Sequence, residues 1–329
     1  MCPADKRGSS SPFELAASGY MVSRVLQVAA QLGVFGCLAS AALSTTVLAE
    51  RCQASEHGMQ ALMTALHALE LVDIADGQWV LKVEVREQLA DEDVLAGLVG
   101  GYQDWLALDQ AIQSGQAVAE PAYHKGAASL RQFLVSMHFS SLPMAQALAA
   151  QLPEPGPRQL LDLGGGIGTY AVAICQRFQG AVATVLELPQ VAAIGRQLVG
   201  RSSVARRVRF IEGDYLADPF PPDNDLILMC NILHQETPRA VRLLFRKAAT
   251  ALSTEGRLLI HETLLDDETT RVELAVALAA LNSLLYYGGQ NYREYQIRKW
   301  LESAGMEVKD VQRTTQPGVR IITARLAHR

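Results

Sequence analysis

Gly164, Gly166 and Gly168 recur at every second position within LLDLGGGIGTYAVAI, residues 160–174. The apolar run before them reads as a strand ending at Asp162, and the run after them reads as a helix. Glycines at such a junction let the backbone turn sharply and let a ligand approach without meeting a Cβ. The spacing is GxGxG, and Thr169 stands where a dinucleotide fingerprint would place its third glycine, which argues against NAD. A glycine turn that merely packs a helix on a strand is the plainer reading. Three acids weigh against it. Glu187 closes VLEL, 21 residues after Gly166, a distance suited to ribose hydroxyls. Asp214 closes FIEGDYL and is placed to accept from an adenine amine, with Tyr215 beside it for stacking. Asp162 could help hold an amino-acid portion. A single carboxylate at a strand end is often a helix cap. Several on consecutive strands point to an adenosine-containing ligand beyond the strands' carboxyl ends.

His234 follows a further apolar run, DLILMCNILH. A neutral imidazole within reach of an acceptor's proton is a general base that works near neutral pH. A buried structural histidine is the alternative. His138 and His234 could also suggest a metal, but no carboxylate–histidine spacing supports one, and no metal is expected.

These residues need a scaffold. From residue 159 onward, β-type runs (QLLDLG, AVATVLEL, RVRFIEG, DLILMCN, RLLIHETLL) alternate with helical segments, which implies βαβ units and a mostly parallel sheet covered on both faces. The tail, MEVKDVQRT and VRIITARL joined through Pro317-Gly318, reads as a closing hairpin. Pro153, Pro155, Gly156 and Pro157 form the clearest linker. Upstream of it, SLRQFLVSMHFSSLPMAQALAAQL is helical. Residues 13–38 read as one amphipathic helix with Gly33 near its end, followed by short helices over TTVLAERC and GMQALMTALHALELV. ELVDIADGQWVLK then reads as a two-stranded wing turning at Asp76-Gly77. The expected divisions are 1–110, a helical connector over 111–152, and 153–329.

Helices followed by a wing could also bind DNA, with the ligand site of the second half acting as a sensor. Charge argues against that. Residues 1–110 hold 6 Lys/Arg against 14 Asp/Glu, and Gly58 to Val72 contains no Lys or Arg. DNA affinity rests largely on neutralising phosphates. The whole chain carries a net charge of -5, which gives no reason to expect nucleic acid or an anionic membrane as partner. Its five cysteines are scattered without a CxxC pair, so neither a disulfide framework nor a structural zinc site is implied. No secretory signal or spanning segment is read, and a cytoplasmic location is expected.

Taken together, LLDLGGGIGTYA, GDYLADPFP, CNILHQET and GRLLIHETLLDD resemble successive motifs of bacterial small-molecule methyltransferases related to plant caffeate-type O-methyltransferases. The resemblance covers nearly the whole chain. It implies a class I (Rossmann-like) α/β domain with a seven-stranded, mostly parallel sheet, preceded by a helical winged-helix dimerisation domain. It implies S-adenosyl-L-methionine as cofactor, S-adenosyl-L-homocysteine as product, a small-molecule acceptor of secondary metabolism and a homodimer. Asp162, Gly164, Gly166, Glu187, Leu188, Asp214, Tyr215 and Cys230 are then expected to line the cofactor site. The family's FxxxM helix matches Phe133 to Met137, with Ser141 one turn on. Leu233-His234 matches the first half of the family's LH(D/N)W motif, while Gln235 and Glu236 depart from the rest. Glu262 matches the acid that orients the histidine. The neighbouring His261 should face the other side of its strand. A second acid of the family has Asn291 in its place, which leaves carbon or nitrogen methylation open. By position alone, Phe133, His138, Met229, Asn231, Asn282, Tyr286 and Tyr292 are expected near the acceptor, which should be flat and mostly hydrophobic.

Overall fold

The computed structural model describes residues 12–88, 101–122, 124–267 and 272–327. The opening polar stretch, Cys2 included, lies outside them. The chain divides into two compact units after Tyr102. The segment expected as a connector, 111–152, is therefore part of the second unit.

In the first unit the long apolar run is two helices, not one. Helix α1 (Pro12–Gln31) stops and α2 (Val34–Ser40) restarts because Gly33 adopts φ 74°, a left-handed conformation that breaks the helical ladder. Ser44 and Ser55 cap α3 (Thr45–Arg51) and α4 (Glu56–Ala68), each side chain accepting from a backbone N–H of the first turn. Strands β1 (Val72–Ala75) and β2 (Gln78–Leu81) form an antiparallel hairpin. Asp76 and Gly77 both have positive φ, 52° and 74°, the signature of the tight turn that matches strand twist. Leu38, Leu48, Met59, Met63 and Leu66 are fully buried between these elements, and α5 (Val83–Gln88) follows. No single helix among the described residues is long and apolar enough to cross a membrane.

After a single helical turn at Tyr102–Trp105, the second unit holds α6 (Leu108–Ser114) and α7 (Ala127–Gln151). Alternation then sets in: β3 (Gln159–Leu163), α8 (Thr169–Arg177), β4 (Val182–Glu187), α9 (Pro189–Val199), β5 (Val208–Glu212), β6 (Asn224–Cys230), α10 (Pro238–Ala251) and β7 (Leu252–Thr263). Helices α11 (Leu274–Tyr287) and α12 (Glu294–Ser303) precede the hairpin β8 (Met306–Arg313) and β9 (Val319–Leu326). The sheet order is β5-β4-β3-β6-β7-β9-β8. The first five strands run parallel, and β9 joins β7 antiparallel. Strands β3 and β6 are neighbours, but the chain leaves β3 toward β4 and crosses back to reach β6. Such a reversal opens a crevice at the carboxyl ends of the two central strands.

Burial on both faces explains the near-continuous apolar runs. Ala171, Ile174 and Leu148 cover one face of the sheet, and Leu244, Phe245 and Leu301 cover the other. Leu228, in the middle of β6, is fully buried. Truncation to alanine should cost about 2–5 kcal/mol, since the surrounding strands cannot collapse onto the cavity. Urea unfolding of Leu228→Ala is expected to show a lower midpoint with an unchanged slope.

Candidate active site

The glycine loop between β3 and α8 lies at this crevice. Gly164, Gly166 and Gly168 adopt φ of 58°, 60° and 82°, a region costly for residues with a Cβ. At Gly164 a Cβ would lie 2.9 Å from Ile232 Cγ2 and 3.1 Å from Tyr215 Cε1, so the Tyr215 ring rests on the loop. At Gly166 the nearest atom would be 3.9 Å away, leaving an open backbone surface. Asp162 lies beneath the loop, and a Cβ at Gly165 would stand 2.5 Å from its carboxylate. Asp162 is completely buried, and among the described residues neither carboxylate oxygen has a hydrogen-bond partner of ordinary geometry. Burial pushes its carboxyl up to about 7, with the charge of Glu187 adding to the effect and the Ala171 amide opposing it.

Glu187, at the end of β4, accepts from Gly166 N at 3.0 Å and from Leu188 N at 2.7 Å. Burial raises its carboxyl to about 7 despite those two amides. Leu188 packs with Phe133, Leu134 and Ile167, so an apolar wall from α7 stands beside the glycine loop. Met137 and Ser141 follow Phe133 at helical spacing on α7, and Met137 is 42% exposed. Asp214 Oδ1 accepts from Leu216 N at 2.7 Å, which shapes the loop that carries Tyr215. A loop of glycines, one buried carboxylate short of donors beside a second held by backbone amides, and an exposed aromatic–aliphatic rim fit a nucleoside bearing an amino-acid chain.

Beyond β6, His234 occupies a short 3-10 turn, Leu233–Gln235. Its Nδ1 lies 2.9 Å from Glu262 Oε1. Glu262 is 1% exposed and also accepts from Leu233 N at 2.9 Å and Thr263 N at 2.9 Å. A carboxylate partner assigns the proton to Nδ1 and leaves the Nε2 lone pair free to act as acceptor. Burial alone would lower the His234 pKa, but the Glu262 charge and hydrogen bond hold it above 6.5. Burial likewise opposes the charge on Glu262, yet His234 and the donating amides keep its pKa below the usual range. His261 faces away and lies 3.3 Å from the Tyr170 hydroxyl.

Other expected positions differ in what they display. Met229 and Tyr292 are not at an open mouth. Met229 is fully buried in the sheet core, and the Tyr292 ring packs on Trp300 with its hydroxyl donated to Glu236 O. Their apolar bulk serves packing. His138 turns to the cofactor side, its Nδ1 2.9 Å from Thr169 Oγ1. The polar groups of Asn282 and Tyr286 are already engaged: Asn282 Oδ1 accepts from Trp105 Nε1 at 3.4 Å, and the Tyr286 hydroxyl donates to Asp104 Oδ2 at 2.8 Å. Asn231 takes φ 56° at the end of β6, where asparagine tolerates the left-handed bend. Cys230 is buried beside it, with burial holding its thiol protonated. The sequence reading missed Tyr287, whose ring centroid lies 6.5 Å from that of His234. It also missed Lys247 of α10, which donates to the carbonyls of Tyr215 and Asp218. Neither belongs to a local motif.

Comparison with known proteins agrees with this geometry. Residues 121–307 match the O-methyltransferase domain and residues 14–82 the O-methyltransferase dimerisation domain. The chain belongs to the O-methyltransferase family. It is 26% identical over 322 residues to the 3-hydroxy-5-methyl-1-naphthoate 3-O-methyltransferase of Streptomyces sahachiroi, covering 94% of this chain and 92% of the relative. It is 29% identical to the acetylserotonin O-methyltransferase of Bos taurus, covering 95% and 97%. The crystal structure of human N-acetylserotonin methyltransferase in complex with SAM superimposes with a TM-score of 0.84 at 25% identity, covering 98% of this chain and 99% of that one. The chain is thus an S-adenosylmethionine-dependent methyltransferase with the family's dimerisation domain at its amino-terminal side.

The two raised carboxyls have a consequence for the unliganded protein. Asp162 and Glu187 release protons near 7 when folded but at 3.8 and 4.5 when unperturbed, so the folded state holds extra protons between those values. Stability should therefore fall as pH rises through that window. Thermal unfolding is expected to show Tm decreasing by several degrees from about pH 5 to about pH 8, with a shallower decline in Asp162→Asn and Glu187→Gln.

Proposed function

We propose that the enzyme methylates a hydroxyl of a small, flat, mainly apolar aromatic acceptor, with His234 as general base and Glu262 as its orienting partner. The 2.9 Å contact between His234 Nδ1 and Glu262 is the observation that carries this reading. A phenol has a pKa of about 10 and is mostly protonated at neutral pH. His234 Nε2, left free as acceptor by the Nδ1 anchor, takes that proton as the oxygen attacks. Glu262 stabilises the resulting imidazolium and fixes the tautomer beforehand. The bound cofactor supplies an activated methyl group on a sulfonium. Asp162, Gly164, Gly166, Glu187, Leu188, Asp214, Tyr215 and Cys230 hold it in this reading, with Phe133, Met137 and Ser141 forming the wall from α7. Glu187 accepts from ribose hydroxyls, and the open Gly166 backbone admits the chain of the amino acid. Alignment of the two reactants supplies much of the rate, and base catalysis adds ~10²–10⁴-fold.

The amino-terminal unit is read as the surface of a homodimer. Phe13 (80% exposed), Tyr20 and Met21 leave α1 with an apolar exterior that a second copy would cover.

With any turned-over phenol, His234→Ala should lower kcat by ~10²–10⁴-fold while S-adenosylhomocysteine still binds in calorimetry. Full activity in that variant would remove the general-base role. The base works only when neutral, so kcat should rise with pH through the His234 pKa, which Glu262 holds above 6.5. Glu262→Gln removes the supporting charge, leaving burial to lower the pKa. Its pH profile is expected to shift to lower pH with a reduced plateau.

A further inference from the structure

We propose that Glu236 is a positioning residue of the cofactor site, fixing the Tyr215 ring over the glycine loop by accepting its hydroxyl hydrogen bond. The inference rests on the reading of Tyr215 as part of the adenosyl site.

The resemblance places a tryptophan where this chain has Glu236. An indole has a donor and no acceptor, so it could fill the space but could not receive the Tyr215 hydroxyl. Here the hydroxyl donates to Glu236 Oε1 at 2.8 Å. The ring it terminates stands over Gly164, where a Cβ would come within 3.1 Å of Cε1. The two ends of Tyr215 are therefore secured separately. At the backbone end, Lys247 Nζ donates to the carbonyls of Tyr215 at 2.5 Å, Leu216 at 3.2 Å and Asp218 at 2.6 Å. That clamp fixes the loop but leaves the side-chain torsions free. At the ring tip, Glu236 supplies the described hydrogen bond.

Glu236 is itself held from both sides. Its N–H donates to Leu233 O at 3.1 Å, and its carbonyl accepts the Tyr292 hydroxyl. Its main chain is thereby part of the turn that carries His234, two residues earlier. Burial, with Asp214 nearby, works against the charge on Glu236, while the Tyr215 hydroxyl favours it. The contact thus joins the loop that shapes the nucleoside side of the crevice to the turn that carries the base. Hydrogen bonds to a carboxylate are shorter and stronger than neutral ones, and a ring pinned in place before binding loses less freedom on meeting its ligand.

The test is calorimetry of S-adenosylhomocysteine binding to the purified full chain, with thermal unfolding as a check on folding. Tyr215→Phe deletes only the hydroxyl, and Glu236→Leu deletes the acceptor. Each is expected to weaken binding roughly tenfold, and the double variant no further than either alone, because all three lose the same contact. Glu236→Gln keeps an acceptor oxygen at the same reach and should remain within about threefold of the unaltered chain. Unchanged affinity in a folded Glu236→Leu, or multiplied losses in the double variant, would overturn the proposal while leaving the site intact. Should the unaltered chain fail to bind the nucleoside, the reading of the site itself falls, and this inference with it.

Discussion

A carboxylate taken out of water must be given hydrogen-bond donors or it will take up a proton. Glu262 meets that constraint and Asp162 does not, and much of the site follows from the difference. Glu262 receives the His234 ring N–H and the amides of Leu233 and Thr263. It stays ionised, and the turn after β6 is bound to the end of β7 by the same contacts. Asp162 is buried just as deeply beneath the glycine loop but lacks comparable donors. One acid is fully partnered within the protein, and the other is left short of donors.

Topology explains how these acids come to share one crevice. Strands β3, β4, β6 and β7 are parallel, so the groups at their carboxyl ends all emerge on the same side. The reversal between β3 and β6 parts the flanking helices there. Because Asp162 pairs with Leu228 across the central strands, the cofactor loop and the His234 turn begin from one register. A slip of one residue would send Glu262 to the opposite face and present His261 in its place.

Much of this could be read in the chain because local and global signals coincide. The apolar runs and the Pro/Gly stretches between them located the strands, and a strand's alternating faces separated His261 from Glu262. The glycine loop was visible because only glycine accepts those φ values without strain. The roles at the end of β7 came from resemblance, since nothing local distinguishes an orienting acid from a surface one. Where local signals mislead, packing had decided the outcome. Residues 13–38 carry a helical period throughout, yet a left-handed Gly33 breaks it in two. Tyr292 and Met229 are chemically suited to a pocket, but their side chains fill the core. The Tyr215–Glu236 contact spans 21 positions and has no periodic signature in the sequence.

The exchange of an acid for Asn291 belongs to the same electrostatic account. Asn291 is 8% exposed, and its Nδ2 donates at 3.2 Å to the carbonyl of Thr263, the residue after Glu262. A carboxylate in its place could not make that bond, because it has no proton to donate when ionised. It would also add a like charge to a buried region that already stabilises one, raising the pKa of one or both acids. The amide keeps the segment from Gly288 to Tyr292 attached to the end of β7, while Gln290 N donates to His234 O at 3.0 Å. The geometry around the histidine is therefore maintained by neutral hydrogen bonds on one side and a single ionised acid on the other. In the reading of His234 as general base, the imidazolium meets one buried carboxylate, already held by backbone amides, without a second acid competing for it.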